Sequence, residues 1–328
     1  MNLYVSHLTA LRYWRSEVGI AASSPARVRS IADAIASVKD AKSLEPTHYG
    51  LIMSDQSPLH ALVCNSDHRR YAKSLKPNVW SADLPSNAFR RIAPHLYVSS
   101  PEFVFVQMAS QLSVVELAQL GNELCGGYFL RSHTGFGERD GLRPITTRAK
   151  LEASVASVGD VRGAKRARMA LRWVCDHCNS PMETIALLML CLPSRMGGWQ
   201  LPLPKVNKPI AAGKRLARYV GGRYYTPDFL WEIEVDGKTI RITAEYDSSD
   251  HHDEDADAQH TRIRRNDMKA LGYLVTSINA SQMGGARSFE YPARQIARDL
   301  GIYRHPLSVA RLRKQENLLA LLRRESFR

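Results

Sequence analysis

The sequence predicts an α/β protein in which a mixed β-sheet flanked by helices forms the C-terminal part and an α+β domain precedes it. Three observations predict this class. A hairpin signal and a strand–helix–strand pattern occupy residues 226–278, short strand candidates precede well-capped helices in the first half, and 328 residues are enough for about two domains. We expect an N-terminal domain over 1–155, a second domain over 156–300 and a basic amphipathic helix over 301–328.

The hairpin signal is Asp236-Gly237, because both central residues of a type I′ turn need a positive φ. With these two residues as the loop, Val235 pairs with Lys238 and the remaining pairs follow. The register then predicts apolar pairs on one face and one opposite-charge pair on the other: Ile233–Ile240, Trp231–Ile242 and Phe229–Ala244, with Glu232–Arg241.

The same register brings three carboxylates to the open end of the hairpin. Asp228 lies opposite Glu245, and Asp247 lies two residues further along the strand on the same face. Like charges that face each other across strands destabilise a sheet by up to about 1 kcal/mol. A hard cation such as Mg²⁺ would remove this conflict, since it prefers carboxylate oxygens. The alternative is a solvated strand end that binds nothing.

A further acidic residue precedes this hairpin. Ser180-Pro181-Met182-Glu183 predicts the start of a helix whose continuation is apolar nearly all round and therefore buried. Glu183 is either the acidic member of a Ser-x-x-Glu capping box or a fourth acidic group that faces the same metal site. Spacing alone leaves both interpretations open.

The segment after the hairpin predicts a helix over residues 258–271 and a strand from Tyr273 to Ile278, joined to the preceding strand by a right-handed parallel crossover. The intervening acidic loop contains two histidines that can orient a water or contact a phosphate, His251 and His252. The helix carries basic residues that either approach a nucleic-acid phosphate or face solvent: Arg262, Arg264 and Arg265.

The first half predicts capped helices and short strands. Ser100-Pro101 begins one helix, and the Ser113–Glu116 capping box begins another that ends near Leu124. Residues 28–38 also have apolar spacing near that of a helix. The candidate strands are Ala61 to Cys64, Asn78 to Ser81 and His95 to Ser99.

Residues 162–174 predict a basic amphipathic helix. Its apolar face is expected to comprise Ala167, Ala170, Leu171 and Val174. The basic residues either contact phosphates or form a solvated face: Arg162, Lys165 and Arg166.

The charge balance favours an acidic partner. Lys and Arg total 45 against 32 Asp and Glu, a net charge of +13, and nucleic acid is the commonest partner of so basic a protein. The alternative is that the charge only confers solubility. The five cysteines exclude a disulfide framework as the organising feature, since their number is odd in a long chain. The N-terminal sequence does not resemble a signal peptide and no apolar run reaches 18 residues, so we expect a cytoplasmic protein that does not span a membrane.

Two of the cysteines lie at the spacing of a half zinc site, Cys175 and Cys178. A single such pair is weak support for zinc. The alternative is helical packing of two buried thiols at positions i and i+3.

Several short motifs follow one another between residues 180 and 273: Ser180-Pro181-Met182-Glu183, Pro227-Asp228-Phe229-Leu230-Trp231, Glu245-Tyr246-Asp247, His251-His252 and Arg264-Arg265-Asn266. In this order they resemble the PD-(D/E)XK nuclease superfamily, in the branch related to very-short-patch repair endonucleases. The resemblance implies a restriction-endonuclease-like fold and a DNA endonuclease that depends on Mg²⁺ or Mn²⁺. It implies Asp228 and Glu245 as metal ligands, with Glu183 as the acidic residue of the first helix.

The chain departs from the superfamily pattern at Asp247, which stands where the pattern has Lys. Relatives in this branch often carry Asp there with His close behind, so the resemblance implies that His251 or His252 supplies part of what the Lys does. The departure keeps open an alternative in which the fold binds DNA without cutting it.

The first half resembles a different family. Residues 90–109 and 142–151 are similar to the core of AbiEi-type antitoxins, which are transcriptional autoregulators of bacterial toxin–antitoxin pairs. This resemblance implies the alternative function of a non-cleaving DNA-binding regulator with a partner toxin protein.

Overall fold

The structure is a computed structural model that describes residues 1–16, 23–35, 37–69, 72–130, 136–137, 143–211, 224–247 and 265–324. The chain is mixed α/β, with mixed sheets flanked by helices. It divides into two compact units, Met1–Val174 and Cys175–Arg324. No helix in these ranges is long and apolar enough to cross a membrane.

The first unit contains a six-stranded mixed sheet in the order β2-β5-β6-β1-β3-β4. Its strands are β1 Leu3–Val5, β2 Ser24–Ala26, β3 Leu59–Val63, β4 Leu75–Val79, β5 Phe89–Ala93 and β6 Leu96–Ser99. Strand β1 is central and fully buried, and it runs parallel to β6 and antiparallel to β3. A separate two-stranded sheet pairs β7 Phe129–Leu130 with β8 Phe136–Gly137.

The helices of the first unit are α1 His7–Trp14, α2 Val38–Ser43, α3 Pro101–Met108, α4 Val114–Leu124, α5 Arg148–Ser157 and α6 Ala164–Ala170. The predicted helix starts are confirmed. Ser100 Oγ accepts from the Phe103 N–H at 3.2 Å, and Ser113 and Glu116 form the reciprocal capping box. These caps satisfy N–H groups that otherwise lack a partner in the first helical turn.

Residues 28–35 form no helix, so that prediction is wrong. The segment pairs with the chain start instead: the Asn2 N–H donates to Asp33 O at 3.0 Å, and the Ile35 N–H donates to Asn2 O at 2.8 Å. Ile31 and Ile35 are buried by this pairing, which explains why their spacing resembled that of a helix. The helix in this region begins only at Val38.

The predicted basic helix over 162–174 is shorter than expected. It comprises α6 and a 3₁₀ turn, Leu171–Trp173. The predicted apolar face is buried, and α6 packs against α4. Because of this packing, α6 belongs to the first compact unit, and the boundary between the two units lies between Val174 and Cys175. The sequence analysis placed the domain boundary between residues 155 and 156.

The second unit contains a four-stranded sheet in the order β14-β13-β12-β9. Its strands are β9 Lys205–Val206, β12 Phe229–Val235, β13 Lys238–Asp247 and β14 Tyr273–Asn279, and a separate pair joins β10 Ile210–Ala211 to β11 Tyr224–Tyr225. Strands β12 and β13 are antiparallel in the predicted register, from Val235–Lys238 to Phe229–Ala244. Asp236 and Gly237 have φ of 50° and 72°, as the turn requires. The predicted parallel pairing of β13 with β14 is also confirmed.

The helices of the second unit are α7 Pro181–Cys191, α8 at residues 265–270, α9 Ala280–Met283, α10 Ala286–Asp299 and α11 Val309–Arg323. Helix α7 is buried along nearly its whole length. Helix α11 packs against α7 and α10 through Leu318, Leu319 and Leu322, so the predicted C-terminal amphipathic helix belongs to the core of this unit. Ala310 and Ala320 of this helix are exposed, whereas Gln315 and Leu318 are buried.

Candidate functional site

The carboxylates at the open end of the hairpin are positioned by the register of β12 and β13. The ladder ends at Phe229–Ala244, and Asp228 and Glu245 are the next residues beyond it on the two segments. Asp228 Oδ2 accepts a hydrogen bond from the Tyr246 N–H at 2.6 Å. This bond ties the Asp228 carboxylate to the backbone of β13, immediately beside Glu245.

Glu245 is the most deeply buried acid of the hairpin, at 7% exposure. Burial of a carboxylate is unfavourable unless hydrogen bonds or a cation compensate for lost hydration. Glu245 pairs with Ser277 of β14, and Asp247 pairs with Asn279, so polar residues of β14 flank both acids. The two acids share one face of β13, because strand side chains alternate between faces.

Helix α8 covers the face of the sheet that carries these acids. Met268 packs with Leu230, and its Sδ lies 3.9 Å from Thr243 Oγ1. Arg265 is the first described residue of this helix, and its Nη2 lies 3.7 Å from Asp247 Oδ2. The Arg265 guanidinium therefore lies beside Asp247, the residue found where the PD-(D/E)XK pattern has Lys.

The next residue of α8 with a polar contact is Asp267, whose Oδ2 accepts from the Tyr225 hydroxyl at 3.0 Å. Burial, followed by this hydrogen bond, raises the pKa of Tyr225 to about 12. Tyr225 is therefore a neutral hydrogen-bond donor at physiological pH, and it fixes α8 over the sheet.

Glu183 lies at the start of α7 and is 7% exposed. Ser180 Oγ caps the helix by accepting from the Glu183 N–H at 3.1 Å. The Glu183 carboxylate accepts through Oε2 from the Asn179 N–H at 2.9 Å, so it binds the backbone just before the N-cap residue. Glu183 thus binds the backbone at the helix start through Asn179, whereas the predicted capping box would place this bond on the Ser180 N–H.

Asn207 links Glu183 to the hairpin. Its Nδ2 donates to Glu183 Oε2 at 2.7 Å and to His177 O at 2.8 Å, and its own N–H donates to Asp228 O at 3.0 Å. Asn207 has φ of 45°, a left-handed conformation that Asn tolerates better than most residues. Sequence reasoning missed this residue, because no local motif marks it and its partners are distant in the chain.

The four acids supply carboxylate oxygens, which are the donors that Mg²⁺ and Mn²⁺ prefer. Carboxylate chemistry of this kind suits a hard divalent cation. Within the described ranges, no three His, Cys, Asp or Glu side chains are already gathered around one point as a metal site.

The remaining predicted site residues divide between described and undescribed parts of the chain. His251, His252, Arg262 and Arg264 lie outside the described residues. Arg162 and Lys165 are exposed at the surface of the first unit. Arg166 is partly buried and its Nη1 donates to Leu112 O at 2.8 Å, so it holds α6 against the chain before α4.

The Cys175-x-x-Cys178 segment forms a turn. The prediction of helical packing is therefore wrong, because the preceding helix already ends at Trp173 and His177 adopts a left-handed φ of 70°. Cys178 is buried and Cys175 is partly exposed. The turn has a structural role, because the His177 carbonyl accepts a hydrogen bond from Asn207 Nδ2.

Comparison of the chain with protein-family models, with curated proteins and with solved structures found no match.

Proposed function

We propose that the unit Cys175–Arg324 is a metal-dependent DNA endonuclease with a restriction-endonuclease-like, PD-(D/E)XK fold. The observation that carries the proposal is the hydrogen bond from the Tyr246 N–H that ties the Asp228 carboxylate beside a buried Glu245, at the end of a paired hairpin. Such a pair destabilises a sheet unless something positive compensates it. A divalent cation bound to both carboxylates supplies that compensation.

In this mechanism Asp228 and Glu245 would hold Mg²⁺ or Mn²⁺, and Glu183 and Asp247 would orient water around it. A metal held there would supply a water of lowered pKa and positive charge for the scissile phosphate. The protein contributes fixed geometry: Tyr246 N–H orients Asp228, and Asn207 orients Glu183. Fixed ligands matter because small displacements of reacting groups lower rates strongly.

Arg265 supplies positive charge near the position where the superfamily pattern has Lys. Its Nη2 lies 3.7 Å from Asp247 Oδ2, and its side chain is 31% exposed, so it can contact a phosphate placed above the sheet edge. From the sequence alone, Arg262 and Arg264 are further candidates for phosphate contacts, and His251 or His252 for a contact to water or phosphate; all four lie outside the described residues. The net charge of +13 supports DNA as the partner.

A second candidate function is a DNA-binding regulator or antitoxin that keeps the fold without cutting and binds a partner toxin protein. The observation that favours it is the ion pair of Asp247 with Arg265, since it places a neutralised acid where catalysis in the superfamily uses a cationic Lys. This candidate binds DNA without any dependence on a divalent metal.

A plasmid nicking assay with Mg²⁺ or Mn²⁺ distinguishes the two candidates. Asp228→Asn and Glu245→Gln keep side-chain shape and remove one charge each, and we expect each to lower cleavage by about a hundredfold or more. Asp236→Asn is the matched control: it removes one charge from the exposed turn of the same hairpin, where Asn tolerates the left-handed φ. The control should cleave like the wild type.

Wild-type activity in Asp228→Asn would overturn the metal-site assignment. Absence of cleavage by the wild type, together with DNA binding that weakens with salt but not with chelator, would support the regulator instead. The salt dependence is measured by fluorescence anisotropy with a labelled duplex, as the slope of log K against log salt.

A further inference from the structure

A cavity of about 520 Å³ lies within the unit Met1–Val174, next to the N-terminal end of α1. Such a volume is typical of small-molecule sites, which span roughly 300–1,000 Å³. Its polar and aromatic lining includes His7, Asn78, Gln107 and Trp80. Three cationic side chains also line it, Arg69, Lys76 and Arg162, and the described residues of the lining include no Asp or Glu.

The floor of the cavity lies in a positive environment. Burial first, and then the neighbouring His60 and Lys76, lower the pKa of His7 to about 3. Burial and Lys76 likewise lower the pKa of His60 to about 4. Both imidazoles are neutral at physiological pH, and the positive charge of Lys76 reaches both of them. No acid of the lining neutralises this charge, so an anion that enters the cavity is stabilised.

His7 is held rigidly at the floor. The backbone N–H of His7 donates to Gln107 Oε1 at 2.9 Å. Gln107 Nε2 in turn donates to Ser99 Oγ at 2.9 Å, and Ser99 Oγ donates to Val5 O at 3.0 Å. This chain of hydrogen bonds maintains His7 at a φ of 47°, in the left-handed region that is uncommon for residues other than glycine, although His is enriched there among them. Rare backbone conformations that surrounding structure maintains occur most often at functional sites.

The His7 ring is fixed through one nitrogen and available through the other. Nδ1 lies 3.0 Å from Ser6 Oγ, and the described residues provide no hydrogen-bond partner for Nε2. The residue is 7% exposed and lines the cavity, so the remaining accessible surface of the ring faces it. A ring nitrogen at a cavity wall, with no protein partner among the described residues, is a place where a ligand atom can bind.

We propose that this cavity binds a phosphate-bearing ligand, either a mononucleotide or the terminal phosphate of a nucleic-acid strand. Lys76 and Arg162 neutralise the phosphate, and His7 Nε2 contacts one of its oxygens. Trp80 packs edge-on against Phe103 and remains partly exposed at the cavity, where it offers a ring face for a base. The site is independent of the proposed nuclease centre, because all of its residues belong to the other unit.

Isothermal titration calorimetry of the full chain, in a buffer with chelator, tests the proposal with three probes. These are adenosine monophosphate, a 5′-phosphorylated oligonucleotide and the same oligonucleotide without the phosphate. We expect Lys76→Ala and Arg162→Ala to weaken binding of the phosphorylated probes about tenfold each. Both side chains are exposed, so their truncation leaves the fold intact. Lys165→Ala is the matched control, an exposed cation outside the cavity, and should bind like the wild type.

The probes separate the two sources of phosphate. Binding of adenosine monophosphate that Lys76→Ala weakens supports a mononucleotide. A preference for the phosphorylated oligonucleotide that Lys76→Ala abolishes supports a strand end. The proposal is overturned if none of the probes binds. It is also overturned if adenosine monophosphate does not bind and the two oligonucleotides bind equally well. A third contrary outcome is a loss of binding in Lys165→Ala as large as that in Lys76→Ala. A loss of nicking activity in Asp228→Asn leaves these outcomes unchanged.

Discussion

The Nδ2 group of Asn207 donates a 2.7 Å hydrogen bond to Oε2 of Glu183, a carboxylate that is 7% exposed. The backbone N–H of Asn207 donates to the Asp228 carbonyl, so one residue connects the helix that carries Glu183 to the hairpin that carries Asp228. The relative positions of two acids of the candidate site therefore depend on a residue that has no acidic or basic group.

Replacement of Asn207 tests this connection. Asn207→Gly retains the left-handed backbone and removes the donor to a buried carboxylate, so we expect a loss of about 1–3 kcal/mol in the free energy of unfolding. Asn207→Ala should lose roughly 1 kcal/mol more, because Ala strains at a φ of 45°. Urea unfolding monitored by fluorescence measures both. An unchanged midpoint for Asn207→Gly would show that the hydrogen bond is unimportant.

Gly237 tests the turn that sets the hairpin register. Its φ is 72°, and an added Cβ meets nothing within 4 Å, so Gly237→Ala introduces conformational strain without a clash. We expect a loss of about 1 kcal/mol in the free energy of unfolding. Asp236→Gly, at a φ of 50°, should be neutral or slightly stabilising. A much larger loss in Gly237→Ala would mean that the turn makes contacts beyond its own backbone.

The first unit contains a buried ion pair whose disruption should be strongly destabilising. Arg15 Nε and Nη2 donate to the two oxygens of Glu123 at 2.7 Å each, and their side chains are 5% and 0% exposed. Glu123→Gln leaves the buried Arg15 charge uncompensated, and we expect a loss of about 3–5 kcal/mol. Thermal unfolding with circular dichroism measures it.

An exposed ion pair of the same unit provides the control. Arg148 and Glu152 lie 2.9 Å apart at 38% and 48% exposure, so Glu152→Gln should cost less than about 1 kcal/mol. Similar losses in Glu123→Gln and Glu152→Gln would contradict the assignment of Arg15–Glu123 as a buried pair.

The buried histidines predict loss of stability in acid. The pKa of His7 is about 3 and that of His60 about 4 in the folded chain, whereas an unfolded histidine titrates near 6.5. Between these values the unfolded state binds protons that the folded state does not, so the free energy of unfolding falls as the pH falls below 6.5. The slope is about 1.4 kcal/mol per pH unit for each histidine.

Urea unfolding between pH 6.5 and 5 measures this slope above the range in which most carboxylates titrate. His7→Asn is neutral throughout and tolerates the left-handed φ, so the slope should decrease by about one proton. A slope that His7→Asn leaves unchanged would mean that His7 is protonated in the folded chain.

Local features of this protein follow from neighbouring residues in the sequence. The register of β12 and β13 follows from Asp236-Gly237, because a two-residue turn allows only one pairing and the alternation of side chains then assigns every face. The starts of α3 and α4 follow from Ser100 and from the Ser113–Glu116 box, because a cap acts within one helical turn. The same register brings Asp228 to the end of β13 that carries Glu245, where its carboxylate accepts from the Tyr246 N–H.

Only the tertiary structure decided the features that join distant segments. Asn207 meets Glu183 and Asp228, Arg15 meets Glu123, and Asn2 draws residues 33–35 away from a helix. In the sheet order β2-β5-β6-β1-β3-β4, the neighbouring pairs β2–β5, β6–β1 and β1–β3 likewise join strands that are not consecutive in the chain. Turns and caps depend on the backbone within a few residues, so their signals are legible in sequence. Long-range hydrogen bonds and burial depend on which segments the whole fold brings together, so the burial of Glu245 and the cavity beside His7 emerge only in three dimensions.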